Sequence, residues 1–271
     1  MEIITANSNP KIKNINKLNK NAAFRKEEQV FIVEGSRMFR ELPVDRVKQV
    51  FVSETAYRKY EAELSVKGIT EQDGRLVVVS DSVFQSMSQT KTPQGLLAVV
   101  DRYHYTMDDL ISVMDKHEGG NTFLVLESIQ DPGNLGTIIR LADWFGIEHI
   151  FCSPNTVDVY NPKTVQATMG GIARVKLHYT SLPELIGSLK DIPVYGTFLD
   201  GANMYTQPLS AHGLIVMGNE GNGIGNEVEQ LINRKLYIPN YPSERETSES
   251  LNVAIATAVV CAEFRRQAAL L

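Results

Sequence analysis

The sequence predicts two consecutive α/β domains. Short strands alternate with helical segments along both halves of the chain. Several strands of the second half are apolar at every position, the pattern of a parallel sheet covered on both faces. Between the halves, Arg102 to Asn121 reads as a connection, with Asp108, Asp109 and His117-Glu118-Gly119-Gly120 breaking the alternation. The boundaries expected are therefore 1–105, a linker over 106–121, and 122–271. A chain of 271 residues is long enough for two modest cores.

In the first domain Pro10 suits an opening helical turn, and Ile12, Ile15 and Leu18 then recur at helical spacing. Val30–Val33 is a strand ended by Glu34-Gly35, and Ser36 is placed to cap a helix carrying Met38, Phe39 and Leu42. Val47–Val52 reads as strand, Thr55–Leu64 as helix and Leu76–Val79 as strand. Asp81 then caps Val83–Met87, and Gly95–Val100 is a further strand.

The second domain offers strands at Phe123–Leu126, His149–Phe151, Val175–Leu177, Val194–Phe198, Leu214–Met217 and Leu236–Ile238. Helices fall between them, around Leu135–Trp144, Pro162–Thr168, Leu182–Leu189 and Asn226–Ile232. Pro239 halts the last strand, because proline has no N–H for the ladder. After the polar loop Asn240–Glu249, Ser250 is suited to cap the apolar helix Val253–Phe264, which closes on Arg265 and Arg266.

Composition excludes several classes. With 43% hydrophobic and 22% charged residues the chain is neither disordered nor fibrous. Met1 to Lys13 has no signal-peptide core, and the longest nearly apolar run, Val253–Ala262, is too short to span a bilayer. Cys152 and Cys261 have no pairing pattern and read as buried thiols of a reduced compartment. The five histidines lack metal-ligand spacing, so no metal site is expected. The net charge of −5 is unevenly spread: +3 over residues 1–105 and −8 over the rest. Lys11, Lys13, Lys17, Lys20, Arg25 and Lys26 are opposed only by Glu2 over the same stretch. A basic arm on an acidic body can contact phosphates locally, and a solvated helix face is the plainer alternative.

Three loops beyond strands of the second domain lie where open α/β sheets usually bind ligands. The first, Asp131-Pro132-Gly133-Asn134-Leu135-Gly136-Thr137, enters a helix with Asn134 as a plausible cap and Arg140 under two turns further on. The second, Met217-Gly218-Asn219-Glu220-Gly221-Asn222-Gly223-Ile224-Gly225, is dense in glycine, which lets backbone amides approach a ligand. It fits neither GxGxxG nor the P-loop, and Glu220 is placed to accept its backbone N–H groups. The third holds Ser250 and Asn252 at a helix start. Asparagine, arginine, glutamate and serine together, without a nucleophilic His or Cys or a carboxylate pair, suit the positioning of a polar, phosphate-bearing substrate beside a cofactor that carries its own reactive group.

Three stretches of this sequence resemble the ordered motifs of the SpoU/TrmH family in the SPOUT superfamily. They are Asn134-Leu-Gly-Thr-Ile-Ile-Arg140 with Ala142 and Phe145-Gly146, Gly218-Asn-Glu220-Gly-Asn-Gly-Ile224, and Ile238-Pro239 leading to Ser250-Leu251-Asn252-Val253-Ala254. Asn161-Pro-Lys163 and Met169-Gly170 are similar to the segment between the first two motifs. The likeness covers residues 122–267, and residues 1–105 resemble the family's L30e-like substrate-binding domain. The loop Asn240–Glu249 departs from the short glycine-containing linker usual there, being acidic and longer.

The resemblance implies an S-adenosylmethionine-dependent RNA 2′-O-ribose methyltransferase whose C-terminal domain forms a deep trefoil knot. It implies a cofactor site at Gly218, Asn219, Ile238 and Leu251, with Thr197, Leu199 and Gly201 alongside. The matching catalytic set is Asn134, Arg140, Glu220, Ser250 and Asn252. By resemblance Arg140 assists deprotonation of the 2′-OH, aided by a substrate phosphate. Because a guanidinium is an awkward base, the preferred reading is that it grips the phosphate and stabilises the developing alkoxide. Asn134 and Ser250 orient it, while Asn252 holds the third-motif turn and Glu220 the glycine-rich loop. A homodimer that needs no metal is implied, with ribosomal RNA favoured over transfer RNA. A cytoplasmic location accords with the reduced cysteines, and the spacing of Lys11, Lys13, Lys17 and Lys20 makes them the expected RNA contacts. Two other readings stand beside this one. Retention of all five polar residues speaks against a non-catalytic ribosome-assembly factor, and the absence of GxGxxG speaks against a nucleotide-dependent oxidoreductase.

Overall fold

The computed structural model describes residues 3–269 except 71, 73, 106–120, 190, 243, 244, 246, 247 and 249. The expected linker over 106–121 lies outside the described residues apart from Asn121. The chain forms two compact units, one of residues 1–104 with 158–173, the other of 105–157 with 174–271.

The first unit is built on a five-stranded mixed sheet. Its strands are β1 (Ile3–Ile4), β2 (Val30–Glu34), β3 (Val47–Ser53), β4 (Leu76–Val79) and β5 (Leu96–Asp101), in the order β1-β4-β3-β5-β2. β4 runs parallel to β1 and β3, and β5 runs antiparallel to β2 and β3. Helix α1 (Pro10–Lys20) starts at Pro10, with the Asn9 side chain accepting from the Lys11 N–H at 2.9 Å. Its Ile12, Ile15 and Leu18 join Val83, Phe84 and Met87 of the Asp81–Met87 helix in a core against Ile32, Phe51, Val77, Val79, Leu97 and Val99.

Two expected caps shift by one residue. Ser36 is the first residue of its helix, preceded by Gly35 at φ 98°, and Ser80 rather than Asp81 caps Asp81–Met87 through the Val83 N–H at 3.4 Å. Asp81 turns outward and accepts from the Thr55 hydroxyl at 2.7 Å, a bond that with Ser53 lowers its pKa. The 158–173 segment is tied to this unit by Asp158, which takes Arg25 Nη2 at 2.9 Å and Arg102 Nη2 at 3.2 Å, and by the Tyr160 hydroxyl on the Tyr103 backbone. Burial pushes that hydroxyl's pKa up to about 12.

The second unit is a six-stranded, wholly parallel sheet. Its strands are β6 (Thr122–Leu126), β7 (His149–Cys152), β8 (Lys176–Tyr179), β9 (Val194–Asn203), β10 (Gly213–Met217) and β11 (Arg234–Tyr237). They lie in the order β11-β9-β10-β6-β7-β8. The all-buried strands β6, β7 and β10 are the continuous apolar runs of the sequence. From β6 the chain steps outward through β7 and β8, then crosses back to β9 and inserts β10 beside β6. The strand order therefore reverses between β6 and β10, and the loops leaving those two strands are neighbours. Helix 132–144 and helix 253–268 pack together, and Arg265 Nε donates to the Phe145 carbonyl at 2.7 Å, satisfying an orphan carbonyl at a helix end.

Strand β9 runs past its expected end at Phe198. Gly196 pairs with Lys235 but Ala202 pairs with the next residue, Leu236, so residues 197–201 loop out of the ladder and the strand resumes.

Candidate active site

The first-motif helix runs Pro132–Trp144 and is capped by Asp131, whose Oδ1 accepts from the Asn134 N–H at 2.8 Å. The cap expected at Asn134 is therefore displaced. Asn134 lies in the first helical turn, because Pro132 already fits the first helical position. That shift frees its side-chain amide. Asn134 Nδ2 donates to Glu220 Oε1, and Asn134 Oδ1 accepts from Asn252 Nδ2 at 3.0 Å. One asparagine thus links the loops after β6 and β10 to the start of the last helix.

Asn252, and not Ser250, caps that last helix, Val253–Ala268. Its Oδ1 accepts from the N–H groups of Ala254 at 3.0 Å and Ile255 at 3.3 Å. Asn252 thus starts the helix of the third motif, while Ser250 is exposed and has no hydrogen bond among the described residues.

Glu220 does not hold the glycine-rich loop through backbone N–H groups. Asn219 and Glu127 do so. Asn219 Oδ1 accepts from Gly221 at 2.9 Å and Asn222 at 3.1 Å, its Nδ2 donates to the Ser128 carbonyl at 2.8 Å, and Glu127 Oε2 accepts from the Gly225 N–H at 2.9 Å. With those donors taken, the Glu220 carboxylate turns to Asn134. Gly218 keeps the loop closed: a Cβ there would lie 2.4 Å from the Gly223 carbonyl carbon.

Arg140 stands on the exposed face of its helix, without a hydrogen bond or ion pair among the described residues. The expected orienting bonds from Asn134 and Ser250 are not formed, because Asn134 is engaged by Glu220 and Asn252. Among the described residues no group of three or more His, Cys, Asp or Glu could hold a metal ion. Burial raises the pKa of Cys152, and that of Cys261 to about 12, so neither thiol is ionised at neutral pH.

Of the cofactor candidates, Thr197, Leu199 and Gly201 occupy the looped-out segment of β9. Leu199 is 73% exposed, and Gly201 lies so close to β11 that a Cβ would sit 2.5 Å from the Leu236 carbonyl oxygen. Ile238 follows β11, and Leu251, beside Asn252, is 47% exposed. Leu199 and Leu251 thus leave apolar side chains in solvent.

A family model described as the SpoU rRNA Methylase family matches residues 121–262, which contain every loop just described. The chain belongs to that family. A second model, an MRM3-like substrate binding domain, matches residues 9–98. The 23S rRNA (guanosine(2553)-2′-O)-methyltransferase RlmP of Bacillus subtilis is 28% identical over 270 residues, covering 98% of this chain and 100% of that one. A solved structure of the TrmH family from Porphyromonas gingivalis is 35% identical, with a TM-score of 0.75 over 96% of this chain and 98% of its own. An AdoMet-bound rRNA methyltransferase from Sinorhizobium meliloti is 26% identical, with a TM-score of 0.81 over 98% and 97%.

Sequence reasoning missed Glu127 and Asp131. Asp131-Pro132 carries a readable signal, a capping residue before a proline at the first helical position. Glu127 carries none, since only the pairing of β6 with β10 brings it to Gly225.

Proposed function

We propose that this protein transfers the methyl group of S-adenosylmethionine to a ribose 2′-OH of RNA, with ribosomal RNA as the favoured substrate. The observation that carries the reading is the chain Glu220–Asn134–Asn252, which joins the three family motifs at the switch point of a parallel sheet. The names of the Bacillus subtilis and Sinorhizobium meliloti relatives support the choice of RNA.

S-adenosylmethionine, when bound, supplies an electrophilic methyl group on a sulfonium centre. The protein's part is to bring a 2′-oxygen into line with it and to stabilise the charge that oxygen develops. Arg140 suits that part: the planar fork of its guanidinium matches a phosphate, and no described protein group occupies it. Asn134, Glu220 and Asn252 hold the three motif loops together, and exposed Ser250 faces solvent beside Leu251. Leu199, Gly201, Gly218, Ile238 and Leu251, with Thr197 and Asn219, would hold the cofactor, and no metal enters the scheme.

Residues 1–105 would bind RNA and 122–271 would catalyse. Lys13, Lys17 and Lys20, spaced i, i+4, i+7, share one exposed face of α1 opposite Ile12, Ile15 and Leu18; Lys11 is exposed but off that face. The third-motif segment threads a deep trefoil knot in this reading. The protein acts as a homodimer in the cytoplasm. Trp144 is 83% exposed at the end of one helix and Ile255 54% exposed near the start of the other, two apolar side chains on packed helices that a second copy would cover. No helix among the described residues is long and apolar enough to cross a membrane.

The deciding experiment maps 2′-O-methylated nucleotides in ribosomal and transfer RNA with and without the protein. A ribosomal site that disappears with the protein supports the reading, a transfer-RNA site alone replaces the substrate, and no change at any site refutes it.

A further inference from the structure

The loops leaving the three central strands β7, β6 and β10 meet at one residue, Ser128. Its backbone is left-handed, φ 58°, a conformation that residues bearing a Cβ rarely adopt. Three hydrogen bonds converge on it. Its N–H donates to Ser153 Oγ at 2.8 Å, its carbonyl accepts from Asn219 Nδ2 at 2.8 Å, and its hydroxyl accepts from Asn155 Nδ2 at 2.7 Å. Ser153 and Asn155 lie in the loop after β7, and Asn219 lies in the loop after β10.

Asn155 acts twice. Besides holding the Ser128 hydroxyl, its Oδ1 accepts from Ser153 Oγ at 2.6 Å, which points the lone pairs of that oxygen at the Ser128 N–H. Every polar group of Ser128 is therefore gripped by a neighbouring loop, the condition under which an unfavourable backbone conformation persists. In an ordinary helical or extended conformation the Ser128 peptide would rotate and its carbonyl would leave Asn219.

Asn219 passes this constraint on. Its Oδ1 fixes the N–H groups of Gly221 and Asn222, which bracket Glu220 with Asn219 itself, and Glu220 accepts from Asn134. The residue before Ser128, Glu127, holds the far end of the same loop at Gly225. Two consecutive residues of the first loop thus fix both ends of the glycine-rich loop.

We propose that Ser128 and Asn155 are positioning residues for methyl transfer, holding a strained turn whose carbonyl sets Asn219 and thereby places Glu220 against Asn134. The proposal rests on the functional reading above and adds two residues outside the catalytic and cofactor sets. Neither has to touch RNA or cofactor.

The test uses the full-length protein and three variants. Asn155→Ala removes both hydrogen bonds of that side chain. Asn155→Asp keeps the acceptor for Ser153 and lets the Ser128 hydroxyl donate instead of accept, so it should restore most of the function. Ser128→Gly keeps the N–H and carbonyl and adopts φ 58° without steric cost, so its melting temperature should hold or rise. It loses the hydroxyl that Asn155 holds and, as glycine, opens further backbone conformations to the turn.

Single-turnover transfer to RNA at saturating cofactor should fall roughly 10- to 100-fold in Asn155→Ala and Ser128→Gly, the scale of a small misplacement at a reacting centre. Amide exchange at Gly221 and Asn222 should quicken about ten-fold while exchange in β6 and β10 stays put. Wild-type transfer and wild-type exchange at those two amides would overturn the proposal, as would exchange accelerated uniformly across the sheet, which marks a merely structural role. If the unaltered protein transfers no methyl group to any RNA, the functional reading fails; the exchange rates then decide the Ser128 link separately.

Discussion

Replacing Arg140 with alanine should separate catalysis from folding. The side chain sits on the exposed face of helix 132–144 and makes no hydrogen bond or ion pair among the described residues. Its removal should therefore change stability by no more than about 0.5 kcal/mol, the usual scale for a surface substitution. For a chain of this size that is a shift of about 1–2 °C in melting temperature. The rate should respond quite differently. An unpaired guanidinium on the helix that carries Asn134 gains most when RNA brings a phosphate and a developing oxyanion. Losing such a donor costs about 3–4 kcal/mol of transition-state stabilisation, a hundred- to a thousand-fold in rate. Arg140→Lys keeps the charge without the planar fork, so rescue should be poor. The assay is single-turnover transfer of labelled methyl with cofactor and RNA saturating, beside calorimetry of S-adenosylmethionine and a thermal melt. Wild-type transfer by the alanine variant would make Arg140 an ordinary surface residue. A melting temperature lowered by more than about 5 °C would refute the claim that it has no structural partner.

Substituting Lys13, Lys17 and Lys20 by alanine should leave cofactor affinity alone and flatten the log–log salt dependence of RNA binding, by roughly 0.7–0.9 for each phosphate no longer neutralised. An unchanged slope sinks the basic face. Stability should fall on acidification because of His149, which stacks on His178 with Nδ1 and Nε2 3.1 Å apart. Burial, and then Lys176, lower its pKa below the ordinary 6.5, against a raising effect of Glu148. The unfolded chain therefore binds the proton first, and stability present above pH 6.5 is lost as pH drops below it. Urea unfolding of His149→Gln should show a weaker pH dependence than the unaltered protein, and an equal one would exclude His149 as the cause. Trp144→Glu should shift the proposed homodimer toward monomer in light-scattering chromatography, whereas an unchanged dimeric mass would place its interface elsewhere and a monomeric mass of the unaltered protein would refute the dimer.

Much of the fold is written in local pattern. Strands β6, β7 and β10 are apolar at nearly every position because both faces are covered, and helix 253–268 is bounded by a polar cap and two arginines. The errors cluster where two candidates compete over one or two positions. Asp131 took the cap expected of Asn134, Asn252 that of Ser250, and Ser80 that of Asp81. A capping oxygen needs one particular backbone geometry, and several neighbouring side chains could supply it. The candidate site could be written from the sequence as a set of residues, but its bonds could not. Glu220 and Asn252 stand 86 and 118 residues from Asn134, and no local pattern encodes which amide meets which carboxylate. Beside them, Glu127 could be assigned only once the register of β6 against β10 was known.

The five matched polar residues divide by what the protein does with them. Asn134 is bonded to both Glu220 and Asn252, whereas Arg140 and Ser250 have no hydrogen bond among the described residues. A polar group that the fold satisfies is there to place its neighbours; one that the fold leaves open is available to a substrate. A double-mutant cycle on folding stability tests the division. Asn252→Ala should cost about 1 kcal/mol through the lost cap alone. Together with Asn134→Ala it should show a coupling of about 0.5–1 kcal/mol, the worth of a partly exposed hydrogen bond. Arg140→Ala with Asn252→Ala should add without coupling, within the few tenths expected of independent sites. In transfer rate the ranking reverses, and Arg140→Ala should cost the most. Urea unfolding measures the first set and single-turnover kinetics the second. Equal coupling in both cycles, or none in either, would mean that the bond between Asn134 and Asn252 does not distinguish the residues that build the site from those that use it.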